Sequence, residues 1–187
     1  KRQPYIITRR KQAPFLIQRL PEVCSTLGFG LKRTPAYQFI ARLRDYKPNL
    51  KDVLIVSSTA SADVGLVTRS DQPFAKDDNS NGQFTTTEIS NDSQKAAVPL
   101  RDSVDDTSVI GLAPDLSSNE SVYGPIQGEE EEFPESSSPL PGLFLLNHDG
   151  VLCAWWLIYN QAIKQKLPYS GLVSVSQDQQ PSGPTST

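Results

Sequence analysis

The chain's single histidine, His148, stands beside Asp149 and shortly before Cys153, in the stretch LFLLNHDGVLCAWWLIYN at 143–160. A base, a carboxylate to orient it and a thiol are the parts of a nucleophile-and-base constellation, and a hydrolase is the activity they would give. Their placement argues against it. Asn147-His148-Asp149-Gly150 joins two apolar runs and reads as a hairpin turn, where adjacent side chains point apart and residue types serve the backbone conformation. The sequence holds no second histidine, no Gly-x-Ser-x-Gly elbow and no Gly-rich phosphate loop. No catalytic residue is assigned, and the protein reads as a non-enzyme.

The remaining candidates are binding groups. Glu129 to Glu132 form an acidic block without the alternating oxygen ligands and turn glycine of a calcium loop, so a solvated loop is expected rather than a metal site. Cys24 and Cys153 lie in no CxxC pattern and read as small buried residues. No cofactor is implied. Lys1, Arg2, Arg9, Arg10, Lys11 and Arg19, with Tyr5 and Phe15 among them, carry the residue types of a nucleic-acid platform. Their positions in and beside a short hairpin favour an ordinary solvated face, and the net charge of −3 argues against general affinity for phosphate backbones. QKAAVPLRDSVDDTS, at 94–108, places Lys95, Arg101, Asp102, Asp105 and Asp106 in one Pro-containing loop. Mixed charge around a rigid turn suits protein recognition, where complementary pairs set orientation and association rate. A loop that only keeps the surface soluble would carry the same residues.

The elements that must position these residues are short strands. PYIIT and PFLI around a charged turn form a hairpin signal, and AYQFIARLRDY at 36–46 alternates Tyr37, Phe39, Ala41 and Leu43 on one face. Two more strands are expected within DVLIVSSTASADVGLVTR at 52–69, a further one in QFTTTEI at 83–89, and a buried one at Val109 to Leu112. Residues 143–158 complete the set as a hairpin whose Asp149-Gly150 step is a strong turn signal. Trp155 and Trp156 then fall on opposite faces, as in a strand packed between neighbouring sheets. Residues 1–51 are basic and 115–135 acidic; the intervals 76–83 and 115–142 read as disordered surface insertions, and 170–187 as a Ser/Pro/Gln-rich linker or tail. The chain contains no methionine and reads as a piece of a longer protein, with residues 1–169 as its folded part. The longest uncharged apolar stretch, 151–159, falls far short of the ~20 residues of a spanning helix, so no membrane association is expected. Many short strands without amphipathic helices predict an all-β architecture, and radial sheets packed face to face predict a WD40-like β-propeller.

In their order, GFGLKRTPAYQFIARLRDY, DVLIVSSTASADVGLVTR, VPLRDSVDDTSVIGLAPDL and LFLLNHDGVLCAWWLI resemble the C-terminal blades of the N-terminal propeller of the large FG nucleoporin on the cytoplasmic face of the nuclear pore, most of all its fungal form. The resemblance covers about residues 14–160 and implies an incomplete portion of a seven-bladed propeller. It further implies docking of the N-terminal RecA-like domain of the DEAD-box mRNA-export helicase, in competition with RNA, alongside other nucleoporins of the cytoplasmic face. A basic residue before a Leu-Pro or Val-Pro step and an aspartate of the following Asp-Asp step make the family's ion pairs with the helicase; by position these match Lys95 and Asp106. The family often has Arg where Lys95 stands, which removes bidentate pairing here. Beyond residue 170 no Phe-Gly repeat occurs. A WD40-like scaffold for another protein or peptide is the alternative.

Overall fold

A computed structural model describes residues 4–9, 11–24, 36–73, 82–89, 91–101 and 107–174. Their strands are β1 (Tyr5–Thr8), β2 (Leu16–Arg19), β3 (Gln38–Tyr46), β4 (Leu50–Ser58), β5 (Gly65–Ser70), β6 (Phe84–Thr87), β7 (Val109–Asp115), β8 (Gly142–Asn147) and β9 (Leu152–Trp156). All named pairings are antiparallel. β1 and β2 form a two-stranded hairpin, β3 to β6 a four-stranded meander in chain order, and β7 to β9 a three-stranded meander. Four-stranded meanders stacked face to face are the blades of a propeller. Each strand overlaps a stretch that the sequence marks as one, β7 extending past the expected Leu112 to Asp115. The 76–83 insertion lies outside the described residues apart from 82 and 83, and the 170–187 tail apart from 170–174.

The core lies between the two larger sheets. Ala41 and Leu43 of β3, Ile55 of β4, Val109 of β7, and Leu143 and Leu145 of β8 are all buried there. Phe39, Ala41 and Leu43 follow the period-two rule, whereas Tyr37 lies outside the strand with 67% of its surface exposed. Alternation breaks at Asp45, whose left-handed φ of 50° turns the next residue, Tyr46, inward. β4, paired on both edges by β3 and β5, is buried or half-buried at every position, in keeping with its apolar run Val53-Leu54-Ile55-Val56. Gly65 begins β5 under the chain that leaves β2, where an added Cβ would lie 1.7 Å from the carbonyl oxygen of Val23. On β9 the two tryptophans do part, Trp155 packing against the core and Trp156 remaining 40% exposed.

Composition predicts disorder over 115–142; the described chain there is packed. Val122, Ile126 and Leu140 are buried against Ile163, with Phe133 beside them, and Tyr123 bridges Glu135. Ile163 belongs to α1 (Asn160–Lys164), a single helical turn too short to leave a periodic signature in the sequence. Lys164 of the same turn pairs with Glu129, so the acidic run is tied to the fold at its first residue. The chain after β9 then crosses both sheets. Tyr46 meets Tyr159 and Tyr169 with ring centroids 5.6 and 4.8 Å apart, and its hydroxyl donates to Leu157 O at 2.8 Å. The backbone N–H of Val173 closes the crossing on Leu116 O at 2.7 Å.

Candidate protein-docking site

The charged segment 95–101 emerges from a polar frame built by the turn after β4. Ser57 Oγ donates to Asp63 O at 2.7 Å, and Ser58 Oγ meets Ser61 Oγ at 3.0 Å, so small hydroxyls replace the backbone partners that a tight turn leaves open. Residues 96–98 lie antiparallel to this turn. Val64 N–H donates to Ala96 O at 3.1 Å and Val98 N–H to Ala62 O at 2.8 Å, around a bridge between Asp63 and Ala97. Cys24 rests on the same turn, its Sγ 3.1 Å from Ser61 Oγ, and burial pushes its thiol above the ordinary value. Cys24 and Cys153 are both only half-buried, short of the fully buried positions that their residue type suggests.

Lys95 is held at the start of the segment. Its Nζ donates to Asp63 Oδ2 at 2.5 Å, with 32% of the lysine side chain and 10% of the aspartate side chain exposed. The cation assigned to a partner by resemblance is thus also part of the frame, neutralising a nearly buried carboxylate.

Farther along, the β8–β9 turn collects the rest. Asn147 closes that turn itself, its Oδ1 accepting from Asp149 N–H at 3.1 Å and Val151 N–H at 2.8 Å, while Gly150 takes the left-handed φ of 84° that its lack of Cβ permits. Arg101 reaches the turn from outside: Nε donates to Asp149 Oδ2 at 2.7 Å and Nη2 to the other carboxylate oxygen. This bidentate pair draws the carboxyl of Asp149 below its usual range, the hydrogen bond from Arg101 being the main cause. His148 Nδ1 accepts from Ser108 N–H at 2.9 Å and lies 3.1 Å from Ser108 Oγ, while Nε2 is 3.1 Å from Arg101 Nη2. Thr107 Oγ1 donates to Pro99 O at 2.6 Å and meets Asn147 Nδ2 at 3.3 Å, which ties the two flanks of the loop together.

One sequence expectation is corrected here. Adjacent His148 and Asp149 do not point apart; His148 Nε2 lies 3.6 Å from Asp149 Oδ1, and with Nδ1 accepting from Ser108 it is Nε2 of the neutral ring that carries the proton and faces the carboxylate held by Arg101. The cluster still does not arm a nucleophile. A backbone N–H can only donate, so the Ser108 amide occupies the accepting lone pair of Nδ1, and Ser108 itself is 2% exposed. Cys153 pairs across the sheet with Leu145, on the strand beyond the turn. Ser108 and Thr107 are the residues the sequence did not single out; nothing in their local pattern distinguishes them from other loop hydroxyls. Asp102, Asp105 and Asp106 lie outside the described residues.

The other candidates resolve as follows. Glu130 accepts from Gly128 N–H at 2.8 Å, which lowers its pKa, and among the described residues no group of three or more metal-ligating side chains converges. Arg9 stacks over Phe15 at 5.0 Å from the ring centroid, and its Nε donates to Ala13 O at 3.3 Å. Lys1, Arg2 and Arg10 lie outside the described residues. No helix among the described residues is long and apolar enough to cross a membrane.

Against known proteins, the NUP159/214 beta propeller family matches residues 1–152. The chain is 42% identical over 175 residues to nucleoporin NUP159 of Chaetomium thermophilum, which covers 90% of this chain and 12% of that protein. It is 28% identical over 145 residues to nucleoporin nup146 of Schizosaccharomyces pombe, covering 77% of this chain and 10% of that one. Human nuclear pore complex protein Nup214 is 28% identical over 137 residues, covering 73% of this chain and 6% of its own length. The chain therefore spans about an eighth or less of these relatives.

Proposed function

The chain belongs to the NUP159/214 β-propeller family, and on that premise we propose that it serves at the nuclear pore as a protein-docking module without chemistry of its own. Its place is the cytoplasmic face, among the other nucleoporins there. Its partner is the N-terminal RecA-like domain of the DEAD-box mRNA-export helicase, which it holds through the charged segment 94–108 and so supports mRNA export. The observation that carries this reading is the frame around that segment: Lys95 and Arg101 are each fixed by an aspartate of a neighbouring turn. Asp102, Asp105 and Asp106 follow Arg101 in the sequence and lie outside the described residues. Charges held in advance lose less freedom on association and set the register of docking.

The test is a titration of the protein against the helicase at low and moderate salt, with and without competing RNA. Binding that weakens with salt, is displaced by RNA, and falls steeply on Asp106→Lys in a folded protein is the expected result. Affinity unchanged by Asp106→Lys removes that residue from the interface. Absence of binding by folded protein would leave the alternative, a scaffold for another protein or peptide.

A further inference from the structure

Asp149 is followed by glycine, and that step carries a chemistry of its own. The backbone nitrogen of Gly150 can attack Cγ of Asp149: a C–N bond forms, the nitrogen loses its proton, a carboxyl oxygen leaves as water, and a succinimide ring results. Water then opens the ring at either carbonyl. Cleavage of the bond to Cγ restores aspartate, whereas cleavage at the backbone carbonyl routes the main chain through the side-chain carboxyl as isoaspartate. Glycine has no Cβ to hinder the attack. Two conditions remain, a neutral carboxyl that can lose water and a Gly150 nitrogen able to reach Cγ. The fold withholds both. Arg101 holds both carboxylate oxygens, Nε donating to Oδ2 at 2.7 Å and Nη2 to Oδ1, with His148 Nε2 3.6 Å from Oδ1, and these groups favour the ionised form. The carboxyl accordingly lies below its usual range, the Arg101 hydrogen bond being the main cause. The Gly150 N–H meanwhile donates to Asn147 O at 3.1 Å, at a φ of 84°. Asp149 N–H and Val151 N–H, both donating to Asn147 Oδ1, fix the backbone on either side of it.

We propose that Asp149-Gly150 is a latent isoaspartate site that Arg101 holds closed. The Asp149 side chain is 30% exposed, so the water that opens the ring has access to it. An exposed ion pair adds little to stability, but this one keeps a reactive carbon ionised and turned toward the guanidinium. Conversion to isoaspartate lengthens the main chain inside the β8–β9 turn and releases Arg101. It also displaces His148 from Ser108, whose N–H the ring accepts at 2.9 Å. The identity of any docking partner does not enter into this chemistry.

The experiment incubates the protein and its Arg101→Ala, Arg101→Lys and Asp149→Glu variants for weeks at neutral pH and physiological temperature. Isoaspartate is then measured in the proteolytic fragment containing Asp149, by mass spectrometry and by labelling with an isoaspartate-specific carboxyl methyltransferase. Hydrogen exchange across β8 and β9 reports whether each variant is folded. Folded Arg101→Ala forms isoaspartate about fivefold faster than wild type, because its carboxyl returns toward the ordinary pKa and is neutral more of the time. Arg101→Lys falls between the two, since an ammonium supplies the charge without the fork. Asp149→Glu, whose longer side chain would have to close a larger ring, shows none at this position and so assigns the signal. Wild type unfolded in guanidinium chloride ages faster than folded wild type by a wider margin, having lost both restraints. Equal rates in folded Arg101→Ala and wild type overturn the proposal, as does folded wild type ageing as fast as its unfolded form. If Arg101→Ala loses the protection of β8 and β9, the comparison of Arg101→Lys with wild type decides instead, equal rates again overturning it.

Discussion

Replacing Lys95 by alanine separates a contact from a structural role. Its Nζ lies 2.5 Å from Asp63 Oδ2, and the aspartate side chain is 10% exposed against 32% for the lysine. A charge-assisted hydrogen bond of this kind contributes about 1.5–3 kcal/mol when sheltered. An exposed ion pair gives about 0–1 kcal/mol. The lysine's partial exposure puts the pair between these limits, so Lys95→Ala should cost about 1–2 kcal/mol, chiefly by leaving the Asp63 carboxylate without its lysine. For a domain of this size that corresponds to a fall of roughly 2–8 °C in Tm. The assay is thermal and urea unfolding followed by Trp155 and Trp156 fluorescence, for Lys95→Ala, Asp63→Ala and the double variant. Because the two side chains touch, the double variant should be less destabilised than the sum of the singles by about 1 kcal/mol. Unchanged midpoints in Lys95→Ala, or strictly additive losses, would refute the reasoning and return Lys95 to the surface as a free partner-binding cation.

Three further outcomes follow from the fold. Leu145→Ala, at a fully buried position of β8, should cost about 2–5 kcal/mol in urea unfolding through lost burial and a residual cavity. Asp52 is 1% exposed and takes guanidinium bonds from Arg42 and Arg69 at 2.8 and 2.7 Å. Asp52→Asn should cost about 2–3 kcal/mol, below the full penalty for a broken buried pair because both arginines reach solvent, and a loss under half of this minimum would show that water already screens the triad. Burial pushes the phenols of Tyr46, Tyr159 and Tyr169 above the ordinary tyrosine value. The folded state therefore retains these protons better than the unfolded one, so their contribution is complete below pH ~10 and declines as pH rises through the folded values. Tyrosinate absorbance should then show three phenols titrating late and together with unfolding; six tyrosines titrating alike near the ordinary value would contradict the cluster.

Local pattern was enough for the strands because a strand's side chains alternate strictly, so Phe39, Ala41 and Leu43 announce a buried face without reference to anything else. The turn at 147–150 was legible for a similar reason, since Asn and Gly have particular backbone uses. Disorder over 115–142 was a compositional inference, and it failed at Val122, Ile126 and Leu140. Those residues are too sparse to show a period, and they form a core only with Ile163, which follows on the far side of a hairpin. Likewise Asp45 looks like one more outward strand position; its positive φ, which reverses the phase so that Tyr46 faces inward, is set by the neighbouring turn and the tyrosine cluster.

At the site the division is sharper. Sequence could name Lys95, Arg101, His148 and Asp149 as charged or titratable residues, and could place the first two on a loop and the last two on a turn. By itself it determined the strands, their faces, the hairpin and the order of blocks that marks the family, because these depend on neighbours a few positions away. Which charges meet was decided only by tertiary structure. Arg101 finds Asp149 and Ser108 finds His148 across more than 35 positions of chain, since antiparallel pairing of β7 with β8 carries the end of one strand to the turn of the next. An ion pair's worth depends on distance and burial, and neither is written in a residue's type.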